Sequence, residues 1–237
     1  MKKLFSLLCL SYASLSLAQM PLDWKIYELE GKVQKLSIYN RFYDDRGRVE
    51  VASYNELTFN MYGYLTQMLL RNSLDNPSFY TFYDYENEQR PIKIIKRNEN
   101  GVITTKRTYT KKGYTDEICY NDKDITVYKY ELNKAGNITK IDVHNGAEVN
   151  FTILNTYDRK GHLISSVDNR SRTDFSCDEQ GRIQSFKRYN IQGDLEEERR
   201  FEYDKFDMRG NWTEKRVYVN AILKQREVRR IVYFAEK

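Results

Sequence analysis

The chain has 237 residues, 40% hydrophobic and 31% charged, with a formal net charge of +5. Aromatic residues at 14% exclude a disordered chain, because disorder goes with few aromatic and β-branched residues. Two His and three Cys beside 20 Tyr exclude a histidine-rich metal site or relay, and the lack of long apolar runs beyond the start excludes a polytopic helical membrane protein.

Residues 1–18 read as a cleavable signal peptide. Lys2 and Lys3 precede the apolar run Leu4 to Leu10, and small residues stand at Ser16 and Ala18, placing cleavage before Gln19. Leu8 before Cys9 does not fit lipoprotein processing. Cleavage takes two from the 39 basic residues against 34 acidic ones, so the net charge falls from +5 to +3. That is weak evidence for any polyanion partner, and no nucleic-acid partner is expected. Residues 19–237 read as one all-β domain. The stretch Leu22 to Gln34 has room for one helical turn, but Gly31 and the alternation of Val33, Lys35 and Ser37 favour a first strand.

Downstream, one phrase recurs: aromatic, Asp or Asn, two free residues, Gly, one free residue, aliphatic. Copies begin at Tyr43, Phe59, Tyr157, Cys177, Tyr189 and Phe206, with decayed copies near Tyr85, Asn98, Tyr109, Tyr120 and Leu132. Asp or Asn is suited to accept the backbone N–H two residues on, and the glycine to close a type I turn in the left-handed region. Turn glycines fall at 47, 63, 101, 113, 136, 161, 181, 193 and 210, and Asp124 stands in for one. The intervening segments alternate as strands do, as in Tyr128, Tyr130 and Leu132. After several glycines the apolar pair is three apart, as in Leu65 and Met68, Ile138 and Ile141, and Ile183 and Phe186, which predicts a bulge or a strand covered on both faces. Leu69 to Ser78 breaks the pattern and reads as a longer loop or short helix. The fold class expected is an antiparallel meander of repeated hairpins forming a curved sheet or open half-barrel.

Cys119 and Cys177 remain after cleavage, and export permits a disulfide. Cys177 holds the repeat's aromatic position while Cys119 stands one residue before it, which places them on opposite strand faces and argues against a bond.

Tyr43-Asp44 with Gly47-Arg48, Tyr157-Asp158 with Gly161, and Asp178 with Gly181-Arg182 resemble the unit of the YD-repeat (Rhs-type) family. Leu29 to Val33 is similar to the lead-in of small exported bacterial proteins of this type. The resemblance implies an assembly of hairpins in a bacterial envelope or extracellular protein, with glycan binding in some members. The toxin-enclosing members are longer, and a chain ending at Lys237 just after the strand Val228 to Phe234 leaves no room for a C-terminal toxin. The family carries over no catalytic residues.

No chemistry-bearing constellation emerges. His144 and His162 lack metal-ligand spacing, and His162 reads as a surface residue. Serine-nucleophile and phosphate-loop motifs are absent. No catalytic, cofactor or metal residue is nominated, and no enzyme activity is expected. The run Glu196-Glu197-Glu198 reads as a solvated strand edge. The basic stretch Lys93, Lys96, Arg97, Lys106, Arg107, Lys111 and Lys112 reads mainly as an ordinary edge, with a polyanion patch as the alternative. Tyr62, Tyr64, Tyr80, Tyr83, Tyr85, Tyr109 and Tyr114 fit either sugar stacking or, preferably, cross-strand packing. The expected function is a non-catalytic binding or scaffolding protein of the periplasm or cell surface, recognising an envelope glycan. The alternative is a protein-interaction partner such as an immunity factor for a toxin. Exposed Tyr or Trp in a row on one face favours the glycan.

Overall fold

The computed structural model describes residues 23–72, 79–88, 91–98, 100–120, 124–146 and 148–235. The expected signal peptide and most of the Leu69 to Ser78 discontinuity lie outside them. One helical turn, α1 (Asp23–Ile26), precedes sixteen antiparallel strands: β1 (Val33–Tyr43), β2 (Val49–Phe59), β3 (Leu65–Asn72), β4 (Phe79–Glu86), β5 (Lys93–Asn98), β6 (Gly101–Tyr109), β7 (Gly113–Tyr120), β8 (Asp124–Leu132), β9 (Ile138–Asn145), β10 (Glu148–Tyr157), β11 (Leu163–Val167), β12 (Ser171–Cys177), β13 (Ile183–Asn190), β14 (Leu195–Phe206), β15 (Trp212–Val219) and β16 (Ile222–Tyr233). The helical turn and the first strand therefore coexist in the segment that invited a choice between them. Leu69 to Asn72 belong to β3 rather than to a loop.

The repeat phrase makes the turns. In the turn after β10, Asp158 Oδ1 accepts N–H bonds from Lys160 and His162, both at 2.8 Å, while Gly161 N–H reaches the Asp158 carbonyl at 3.1 Å. Asn133 does the same for Ala135 and Asn137, and Asp178 for Gln180 and Arg182. The glycine takes a left-handed φ, +89° at Gly161, which costs other residues ~1–2 kcal/mol. Gly113 works differently. It sits inside β7, where a Cβ would lie 1.8 Å from the Tyr130 carbonyl oxygen, so its role is close approach of two strands. Asp124 likewise opens β8.

The three-residue step after the glycines is a bulge. Leu132 pairs with Ile138 but Glu131 with Lys140, leaving Thr139 as the extra residue, and equivalent shifts fall opposite Leu65 and Ile183. The bulge turns residues three apart to one side, so Ile138 and Ile141 are both buried, at 0% and 1% exposure.

The sheet closes. β1 pairs with β16 from Val33↔Tyr233 to Phe42↔Gln225, giving a complete barrel instead of the expected curved sheet or half-barrel. Twist accumulated over sixteen strands brings the first and last together, and their pairing satisfies two rows of N–H and C=O groups that an open sheet leaves exposed.

One face of the wall carries most of the buried side chains, including Leu36, Ile38, Leu57, Tyr114, Tyr130, Ile141, Val143 and Phe186. It is the inward face, where side chains of a curved wall converge. The segment after α1 enters this space: Tyr27 meets the Phe59 ring at 6.0 Å and its carbonyl accepts Arg229 Nη1 at 2.8 Å, while Trp212 Nε1 donates to Glu28 at 2.8 Å. Asn211 clamps the Glu30 backbone, accepting from its N–H at 2.6 Å and donating to its carbonyl at 2.9 Å.

The tyrosine excess has a structural use here. The Tyr85 hydroxyl donates to the Leu65 carbonyl at 2.5 Å, Tyr109 to Pro91 at 3.0 Å, Tyr157 to Ile138 at 2.8 Å and Tyr203 to Ile183 at 2.9 Å. Each ties an even-numbered strand to the start of the preceding odd-numbered one. Leu65, Ile138 and Ile183 are aliphatic residues just past a turn glycine, where the bulge takes a carbonyl out of the regular ladder.

Candidate functional site

Outward residues form rungs across neighbouring strands. One rung runs Arg226, Arg41, Ala52 over β16, β1 and β2; the next runs Val228, Tyr39, Tyr54, Arg71 over β16 to β3; a third runs Ser37, Glu56, Leu69, Tyr80 over β1 to β4. These rungs line a groove of about 1070 Å³ on the outer wall. Ala52 is small beside its neighbours Arg41 and Tyr54, which leaves room between the larger side chains.

Aromatic rings and guanidinium groups dominate the groove. Tyr39 and Tyr80 are 49% and 43% exposed. Tyr39 lies against Tyr54 with ring centroids 4.8 Å apart, and Tyr80 stacks on Phe82 at 6.4 Å and 11°. The Tyr54 hydroxyl donates to Glu56 Oε2 at 2.6 Å, and Lys35 Nζ donates to Glu56 Oε1 at 2.8 Å. The Lys35 bond, followed by the Tyr54 bond, holds the Glu56 carboxyl below its ordinary range, and burial pushes the Tyr54 hydroxyl up. Arg226 is bound to Glu214. Arg41 and Arg71 are exposed and make no ion pair among the described residues. The arrangement offers ring faces for stacking and two exposed guanidinium groups, of which Arg71 also helps to lower the Glu56 carboxyl from across the groove.

The residues singled out from the sequence are dispersed. Tyr64, Tyr83, Tyr85, Tyr109 and Tyr114 pack inward; Tyr80 alone of that set lines the groove. The basic stretch is divided between two faces. Arg107 is buried on paired bonds to Asp116, both at 2.7 Å, and Lys96 approaches the Tyr83 ring, while Arg97 pairs with Asp84 outside. It makes no single patch, because strand alternation sends neighbouring residues to opposite sides. The acidic run is not an edge, since the closed barrel has none. Glu197 pairs with Arg188 at 2.7 Å and with Arg199, and Glu198 with Lys187 at 3.5 Å. His162 is half-buried, with Nδ1 3.1 Å from Asp158 and its ring against Gly181. Cys119 and Cys177 are free thiols, Cys119 outward beside Thr104 and Cys177 bonded inward to the Leu163 carbonyl at 3.7 Å. Tyr39, Arg41, Tyr54 and Arg71 were not nominated from the sequence. Each sits on an outward strand position, a periodicity signal that locates a face but not the neighbours across it.

Beside the Arg107–Asp116 pair, the interior holds a charged cluster around Glu227. Glu227 accepts from Arg229 Nε at 3.0 Å and lies 3.4 Å from Lys215 Nζ, and both cations lie over the Trp212 ring. Burial alone would raise the Glu227 pKa, but Lys215 and Arg229 outweigh it and hold the carboxyl below its ordinary value.

No protein-family model matches the chain, and no curated protein is significantly similar to it. Among solved structures it is similar to a porin-like protein from Bacteroides uniformis, with a TM-score of 0.62 and 12% sequence identity over 84% of this chain and 96% of that one. The likeness is one of fold. The side-chain pattern runs opposite to that of a lipid-spanning barrel, which is apolar outside and polar inside. Here the buried apolar clusters point in, and the outer wall carries, beside exposed apolar residues such as Phe82 and Leu154, the charged Lys35, Glu56, Lys140, Asp142, Arg200, Glu202, Asp204 and Arg216.

Proposed function

We propose that this protein is an exported, non-catalytic binding protein of a bacterial envelope, working in an aqueous compartment and recognising a glycan in the groove over β16 to β4. The observation that carries the reading is the pair of exposed rings, Tyr39 and Tyr80, set beside guanidinium groups on one outward surface. Flat ring faces stack on the C–H faces of sugars, and neighbouring polar groups take the hydroxyls. The lysine and arginine residues of the outer wall favour water over lipid as its surroundings, since a charge facing the middle of a bilayer costs ~2–4 kcal/mol. The signal peptide and the YD-repeat resemblance support export and the envelope. The interior carboxylates Glu227 and Asp116 are held by cations, which supports a structural role for them.

The test is retention of the mature chain, residues 19–237, on an array of envelope polysaccharides. Retention lost in Tyr39→Ala and Tyr80→Ala, with the thermal unfolding midpoint unchanged, is the expected result. If no glycan is retained and an envelope protein is captured by the same chain, the protein-interaction reading replaces this one.

A further inference from the structure

We infer that the groove is specific for an acidic oligosaccharide, read by Arg41 and Arg71. This rests on the glycan reading above and adds the charge class of the ligand. The two arginines flank the Tyr39–Tyr54 pair, Arg41 opposite Ala52 and Arg71 opposite Tyr54. Two strand spacings and a two-residue offset put their Cα atoms ~12 Å apart. Long side chains on that spacing can meet two carboxylates on successive sugars or close on one.

Charge balance around the groove singles these two out. Arg226 is committed to Glu214, and Lys35 pairs with Glu56, whose charge Arg71 senses only at longer range without an ion pair. Arg41 and Arg71 have no ion-pair partner among the described residues. A guanidinium presents a planar fork of donors that matches a carboxylate with two parallel bonds. Groove length favours a polymer over a lipid headgroup. Its lining crosses five adjacent strands, about 19 Å at ordinary strand spacing, whereas one headgroup would fill a small part of it.

The test uses isothermal titration calorimetry of the mature chain with oligogalacturonate, oligoalginate and chondroitin sulfate, each beside its carboxyl-reduced or methyl-esterified counterpart. The expected result is at least tenfold tighter binding of an acidic form than of its neutralised counterpart. Raising the salt concentration should weaken that preference. Arg41→Ala with Arg71→Ala should abolish the preference while leaving weak binding of the neutral form. Both side chains are exposed, so the double variant should unfold at the wild-type temperature. Equal binding of charged and neutralised forms, or an unaffected double variant, overturns the charge assignment and leaves glycan recognition standing. Failure of every saccharide, charged or neutral, overturns the glycan reading and this inference with it. Binding to phosphatidylglycerol vesicles without binding to any acidic saccharide overturns the choice of ligand class.

Discussion

Glu227→Gln removes the one negative charge between two interior cations. Glu227 is 4% exposed, with Arg229 Nε at 3.0 Å and Lys215 Nζ at 3.4 Å. At an effective dielectric constant of about 20, each contact is worth on the order of 5 kcal/mol of attraction. The desolvation of the carboxylate offsets much of that. The variant also leaves Lys215 and Arg229 buried beside each other, and removing one member of a buried pair costs ~3–5 kcal/mol in total. The cost should depend on pH with a defined sign. Lys215 and Arg229 depress the folded pKa of Glu227 against the effect of burial, so the stabilisation is fully present above the unfolded value of about 4.3. It is lost as pH falls through the depressed folded value, where the wild-type carboxyl is itself neutral. Urea unfolding followed by the fluorescence of Trp24 and Trp212 measures both effects. The gap between wild type and variant should be full at neutral pH and should narrow in acid. A loss below ~1 kcal/mol at neutral pH would show that water screens the interior cations. A gap that stays constant into acid would refute the assigned coupling.

Three more outcomes follow from the turns and the inward face. Tyr203→Phe should cost ~1 kcal/mol in urea unfolding, by removing the donor to the Ile183 carbonyl. Tyr157→Phe should cost less, because Asn155 also donates to the Ile138 carbonyl at 3.1 Å; equal costs would mean that the second donor does not compensate. Gly63→Ala and Gly136→Ala both strain a left-handed φ, +90° and +84°, by ~1–2 kcal/mol. A Cβ at Gly63 also meets the Trp24 ring at 2.7 Å while one at Gly136 meets nothing, so Gly63→Ala should lose ~1–3 kcal/mol more in thermal unfolding. Burial pushes the Cys177 thiol up to about 11, so iodoacetamide at pH 8 should modify it about tenfold more slowly than a free cysteine, because the smaller thiolate fraction outweighs its greater nucleophilicity. A rate equal to that of free cysteine would place the thiol in water.

The sequence by itself determined the local geometry. An Asx acceptor, two free residues and a glycine define a turn through contacts spanning five positions, so the turns at Asp158 and Asp178 were legible from spacing alone. The three-residue apolar step after the glycine carried the bulge, and alternation placed Cys119 and Cys177 on opposite faces. Closure was not legible, because whether β1 reaches β16 depends on twist summed over the whole sheet rather than on any one hairpin. The tyrosines show the same division. Their number and repeat position were visible, but the bond from Tyr157 to the Ile138 carbonyl depends on a strand pairing, and the exposure of Tyr39 and Tyr80 depends on which face turned outward. The groove is a product of tertiary structure in the strict sense. Arg41 and Arg71 are 30 positions apart in the chain and become neighbours through the registers of β1 with β2 and of β2 with β3, while closure adds Arg226 and Val228 from the far end of the chain.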